Sequence, residues 1–323
     1  MSSRSHSKAL VASIAMVGLP AFAATVGGII STDTVWSDTS EAYTFSSAVQ
    51  IKNGVTLTID PGVNIEAGDI KVFGNLVVSG SANSIVKFTN VNVVPSGNGD
   101  PAKKFNIDIS HASLTGGSLY YPTGNAIYGT LSLENSKLEN LPYMYLWYPT
   151  SEVSIRGNTF LNFGGISVGS SNVNVLIENN LFASSSSFAV ENWASYGTAM
   201  TTVRYNTFSQ SASPAVRLPS AYNSAKMDAR ENYWGTTDVS VINSMIFDEN
   251  DDLSSAGTIP FMPFLSSPHL GTPAISPVPE VSSWVMLLSG LAVVVTLHRR
   301  RKRGSTGIKP AQPLLLPDGS RPV

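Results

Sequence analysis

At 323 residues with 42% hydrophobic side chains, the chain can bury a full core, yet only 13% of it is charged, well below the ~25% usual for globular domains. Ser, Thr, Asn and Gly are abundant and cysteine is absent, which favours stacked strands and turns over helices and excludes disulfides and thiolate metal sites. The formal net charge of −2 hides an acidic body: between Ala24 and Pro279 stand 20 acidic and 11 basic residues, so the chain lacks the basic face that nucleic acid requires.

Residues 1–23 combine Arg4 and Lys8, an apolar stretch from Ala9 to Leu19, a Pro20 break and the small-x-small pattern of Ala21 and Ala23 around Phe22. This order predicts a signal peptide cut by signal peptidase, because the apolar run is too short to span about 30 Å of hydrocarbon. From Val55 onward the sequence alternates with period 2: Val55-Thr56-Leu57-Thr58-Ile59, then Asp60-Pro61-Gly62, Val63-Asn64-Ile65, Ile70-Lys71-Val72, Gly74-Asn75-Leu76-Val77-Val78 and Ile85-Val86-Lys87-Phe88. Such alternation predicts strands with one buried face.

The second half repeats a phrase: Ile155-Arg156-Gly157-Asn158-Thr159-Phe160, Ile177-Glu178-Asn179-Asn180-Leu181-Phe182, Val203-Arg204-Tyr205-Asn206-Thr207-Phe208 and Ala229-Arg230-Glu231-Asn232-Tyr233-Trp234. A weaker copy, Leu131-Ser132-Leu133-Glu134-Asn135, stands about one period upstream. Repeats of this length cannot bury their apolar residues alone, so neighbours must stack. Asn158, Asn180, Asn206 and Asn232 are expected to form a ladder, since asparagine tolerates the left-handed backbone and its amide can bond the amide of the next rung. Phe160, Phe182, Phe208 and Trp234 are expected to stack inside the tube; the alternative, an aromatic sugar platform, requires them to face outward.

With the closing stretch from Tyr233-Trp234-Gly235 to Pro263-Phe264-Leu265, these motifs resemble right-handed parallel β-helix surface proteins over about residues 34–267. The resemblance implies an all-β solenoid domain over 24–267. At about 24 residues per coil, that is on the order of nine or ten rungs. A leucine-rich solenoid has a similar period, but its Leu-x-x-Leu-x-Leu frame is missing.

Residues 268–280 are expected to be a linker ending in Val278, Pro279 and Glu280; 281–303 form an apolar run followed by a basic stop of Arg299 to Arg303, and 304–323 a disordered tail. A short Pro-Glu motif, an apolar span and an arginine-rich end together resemble the PEP-CTERM sorting signal. That resemblance implies cleavage by an exosortase membrane protease, a transient inner-membrane anchor and final delivery to the cell surface or medium.

Candidates for chemistry are sparse. Arg156, Glu178, Arg204 and Arg230 share one repeat position and suggest an outer ion-pair ladder or an anionic-glycan contact strip. Asp248, Asp251 and Asp252 lie in an acidic run that could bind calcium but lacks an EF-hand frame, and no other cofactor is suggested. His111 has no placed acid or nucleophile, and Gly165-Ile166-Ser167-Val168-Gly169 matches a nucleophile elbow by letter without the helix that motif needs. The expectation is an exported, non-catalytic rod that contacts polysaccharide or the cell envelope. Its rival is a polysaccharide lyase or glycoside hydrolase, favoured if an outer groove gathers three or more of His111, Glu134, Glu152, Glu178 and the arginines.

Overall fold

The computed structural model describes residues 24–96, 100–121, 128–209, 214–220 and 224–274. Two compact units divide the chain at Ala274/Ile275, and the described residues all belong to the first. The signal-peptide positions Ala21 and Ala23, the sorting residues Val278, Pro279 and Glu280, the apolar run and the tail lie outside the described residues. Among the described residues, no helix is long and apolar enough to cross a membrane.

The first unit is a parallel β-solenoid of about eight turns. Three parallel sheets run along it, of ten, nine and five strands among the described residues, and successive rungs pair in register. The period-2 alternation explains this directly: every second residue of a strand points inward and every rung covers the one before. One inward column of the first sheet runs Tyr43, Ile65, Phe88, Leu114, Leu138, Phe160, Phe182 and Phe208. The second sheet stacks Ile59, Val78, Ile109, Leu133, Ile155, Ile177 and Val203 in the same way.

About eight turns is fewer than the nine or ten expected, because the closing segment is not a coil. After Trp234 the chain forms the short helix Val239–Ser244, capped by Asp238, and the strand Ile246–Phe247, followed by turns through 265. Phe261 and Phe264 pack against the end of the core. Residues 268–274, expected as linker, lie along the solenoid: the His269 ring stacks on Tyr205 with centroids 4.6 Å apart, and Thr272 Oγ1 donates to the Tyr205 carbonyl at 2.7 Å.

The asparagine column differs in mechanism from the sequence expectation. Asn158, Asn180, Asn206 and Asn232 are fully buried. The left-handed residue is the one before each: Gly157, Asn179, Tyr205 and Glu231 have φ of 56–64°. That residue turns the corner and the asparagine points inward. The Nδ2 groups of Asn158, Asn180 and Asn206 each donate to the next asparagine Oδ1 at 3.0 Å, and the same oxygen accepts the donor residue's backbone N–H at 2.9 Å. The upstream copy is shifted by one position: Asn135 takes the left-handed corner (φ 49°), while Ser136 occupies the ladder, its N–H donating to Asn158 Oδ1 at 2.9 Å.

Phe160, Phe182, Phe208 and Trp234 are fully buried and stack with centroids 4.8, 5.1 and 4.9 Å apart. Their rings face the interior, so none can serve as an outer platform.

Candidate functional site

The exposed aromatic residues stand elsewhere, on the outer face of the third sheet. In Tyr143-Met144-Tyr145-Leu146-Trp147 aromatic and aliphatic residues alternate, so the strand Met144–Trp147 buries Met144 and Leu146 and turns Tyr145 and Trp147 outward. Tyr143 and Trp147 each remain 38% exposed. The rings form a continuous row: Tyr121–Tyr143 centroids are 5.2 Å apart, Tyr143–Tyr145 6.1 Å and Tyr145–Trp147 5.7 Å.

Register then builds a groove beside this row. Tyr145, Ser167, Glu191, Arg217 and Phe247 fall in one outward column on successive rungs. Tyr143, Tyr145, Trp147, Ser167, Phe188, Glu191, Trp193 and Arg217 line a cleft of about 390 Å³, within the ~300–1,000 Å³ range of ligand sites.

The Gly165-Ile166-Ser167-Val168-Gly169 segment is the floor of this groove. It is a strand with no following helix, and its two glycines make room for rings. A Cβ on Gly169 would stand 2.3 Å from Trp147 Cε3, so only glycine leaves room for the edge of the indole; a Cβ on Gly165 would stand 2.6 Å from the Phe188 ring. Ser167 Oγ accepts the Trp193 indole N–H at 3.1 Å, which fixes that ring and accounts for the serine without nucleophilic chemistry.

Glu191 is nearly buried at 3% exposure, and its Oε2 accepts Arg217 Nε at 2.7 Å and Nη2 at 2.6 Å. The Arg217 guanidinium also lies 4.3 Å from the Phe188 ring centroid, a cation–π contact that holds it in place. Sequence reasoning missed this site. Its signals were the period-2 aromatics from Tyr143 to Trp147 and the 26-residue spacing of Glu191 and Arg217, which equals that of Asn180 and Asn206.

The arginine positions form a second outward column on the second sheet. Glu178 is buried between two guanidinium groups, with Arg156 Nε 3.1 Å from Oε1 and Arg204 Nε 3.0 Å from Oε2. Arg230 turns instead to Asp228, at 2.5 Å from Nη2. Those hydrogen bonds hold the Asp228 carboxyl below the usual range and raise Arg230. Beside them, a hydrogen bond to Glu231 raises the Tyr205 phenol. Each arginine of the expected anionic-glycan strip is thus already engaged with a carboxylate.

Further along the same face, Asp108, Glu134, Glu152 and Arg156 line a cleft of about 280 Å³ with Thr130 and Ser132. His111 lies at a corner of the coil with φ 49° and is not in that lining. The acidic run near the end staples its own turns: Asp248 accepts the N–H groups of Asn250 and Ile259, Asp251 that of Asp248, and Asp252 that of Ser254. Among the described residues, no group of three or more His, Asp or Glu side chains gathers to hold a metal ion.

Fold and groove together define a parallel β-solenoid with an aromatic outer face on its third sheet. Compared with family models, curated proteins and solved structures, the chain matches none.

Proposed function

We propose that the chain is an exported, cell-surface or extracellular-matrix protein whose solenoid is a non-catalytic rod that holds polysaccharide in the third-sheet groove. The coil is read as right-handed, the hand of about 98% of parallel crossovers. The observation that carries the functional reading is the outward aromatic row, Tyr143, Tyr145 and Trp147, beside a paired carboxylate. Aromatic rings fixed at a surface next to hydrogen-bonding groups suit an amphipathic ligand. Delivery would follow from signal peptidase reading Ala21 and Ala23 and cutting after Ala23, and from exosortase acting at Val278, Pro279 and Glu280. No cofactor is needed, and calcium would at most stiffen the turn of Asp248, Asp251 and Asp252.

Mass spectrometry of the surface and medium pools tests the delivery. The wild-type chain should lack the apolar run, and Glu280→Ala should keep it; an intact C-terminal end in the wild-type surface pool overturns the sorting proposal. Sedimentation with insoluble polysaccharide tests the rod, with retention expected for wild type and lost in Trp147→Ala.

One observation favours a second reading, a carbohydrate-active enzyme: Glu134, Glu152 and Arg156 share a single cleft with Asp108. Glycoside hydrolysis needs two carboxyl groups about 5–9.5 Å apart, and this is where the rod gathers carboxylates on one face. New reducing ends or unsaturated products that disappear in Glu134→Gln would establish it over the non-catalytic rod.

A further inference from the structure

The make-up of the groove distinguishes among polysaccharides. We propose that it takes a neutral, hydroxyl-rich glycan chain, with Tyr145 and Trp147 stacking on pyranose faces and Glu191 accepting from hydroxyl groups, and that it discriminates against chains bearing uronic acids. This rests on the polysaccharide reading above and narrows it.

The rings come first. The benzo edge of Trp147 occupies the space that Gly169 leaves, and the indole remains 38% exposed. A ring face carries negative quadrupole charge, so it attracts the polarised C–H face of a sugar and repels a carboxylate. Tyr143, Tyr145 and Trp147 occupy alternate positions along one stretch of chain, so a glycan lying across the rod meets several rings in succession. The rings are also pre-organised: Trp193 is fixed by Ser167, and Phe188 by Gly165 below and Arg217 above, which lowers the ordering cost of binding.

The charges point the same way. Glu191 and Arg217 are the two ionised residues lining the groove, and they neutralise one another. Both guanidinium contacts go to one carboxylate oxygen, Oε2, and the other, Oε1, has no hydrogen-bond partner among the described residues. A sugar hydroxyl can donate to Oε1 while both Arg217 contacts to Oε2 stay in place. A uronate would have to take Arg217 from Glu191, stranding a carboxylate that is 97% buried, or sit unpaired beside it. The acidic body adds a longer-range repulsion of polyanions that weakens with salt.

Affinity electrophoresis of the full chain decides this, with mixed-linkage β-glucan and galactomannan as neutral probes and polygalacturonate and alginate as acidic ones. Neutral chains should retard the protein at least tenfold more strongly than acidic ones at 0.05 M salt, and the retardation by neutral chains should not change between 0.05 and 0.5 M salt. Trp147→Ala and Gly169→Ala should each cut that retardation about tenfold with the melting temperature of the wild type retained, because the displaced ring is at the surface. Glu191→Gln frees Arg217 and should shift preference toward the acidic probes. Stronger retardation by acidic chains, lost in Trp147→Ala, overturns the neutral assignment while leaving the polysaccharide reading intact. Retardation by none of the four, or retardation untouched by Trp147→Ala and Gly169→Ala, overturns both.

Discussion

The early and late coils solve the same stacking problem with similar lengths of chain but distribute their residues differently. Asp69 and Asn92, adjacent in the early first sheet, are 23 positions apart, and Asn158 and Asn180 in the late coils are 22. In the early coils the corner from the second sheet to the first is long: residues 60–63 separate Thr56–Ile59 from Asn64–Val72, and residues 80–85 separate Asn75–Ser79 from Val86–Pro95. Such corners close on their own turn hydrogen bonds, as Val63 N–H does on the Asp60 carbonyl and Ser84 on Ser81. In the late coils the same corner is two residues, one left-handed and one inward-pointing asparagine. A corner that short cannot close on its own turn, so its N–H groups bond to the next rung, the left-handed residue's to a backbone carbonyl and the asparagine's to the stacked amide.

The chain length released at that corner reappears at the next bend. Early first-sheet strands run nine or ten residues through left-handed bends at Ala67 and Asn90. In the late coils the equivalent bends at Asn140 and Asn162 open into short loops, so each long strand becomes a first-sheet piece and a separate third-sheet strand. The third sheet is therefore the outcome of tight corners elsewhere, and it provides the flat face on which the aromatic groove is built.

Substitution in the ladder gives the largest expected effect. Asn206→Ala removes the acceptor of the Asn180 N–H and Nδ2 groups and the donor to Asn232 Oδ1 and the Ile177 carbonyl. With two or three buried groups left unpaired at ~1–3 kcal/mol each, the loss is on the order of 5 kcal/mol, a large share of a typical domain stability. Asn162→Ala, which breaks an exposed amide pair with Asn140, should cost about 0.5 kcal/mol or less. Urea unfolding measures both, and equal losses would remove the distinction between the buried ladder of the tight corners and the exposed amides of the bends that follow them. Next in size is Ser136→Ala at the ladder's early end, where Oγ accepts only the Ala112 N–H and donates to the Glu134 carbonyl. About 1–2 kcal/mol is expected there.

How legible each part was follows from the same contrast. Asn158, Asn180, Asn206 and Asn232 stand out because a two-residue corner admits little variation, so one letter recurs at intervals of 22 or 26 residues. The early corners differ in length and carry no recurrent letter, so only their period-2 strands could be read. The role of the left-handed residue was hidden because Gly157, Asn179, Tyr205 and Glu231 share a backbone angle and no chemistry. The groove was hidden for another reason: Tyr145, Ser167, Glu191 and Arg217 meet only through the register of four rungs, and no two of them are alike. The closing segment was recognisable as an end, but its aperiodic turns were counted as coils.

The smallest expected effect is confined to the late end. Asp252 accepts hydrogen bonds from the Ser220 hydroxyl at 2.6 Å and from the Ser254 N–H and hydroxyl, and these hold its carboxyl down to about 2. A carboxyl depressed on folding contributes stability that is complete above its unfolded value of about 4 and disappears as pH falls through about 2. Hydrogen exchange at Ser254 should therefore accelerate between pH 4 and pH 2 relative to the ladder amides of Asn180 and Asn206, after correction for intrinsic exchange. In Asp252→Asn that relative acceleration should vanish, since the side chain no longer titrates. Were the ladder amides to loosen over the same interval as Ser254, the closing turns and the coils would unfold as one unit, and the end could not be treated as a cap separate from the stack it covers.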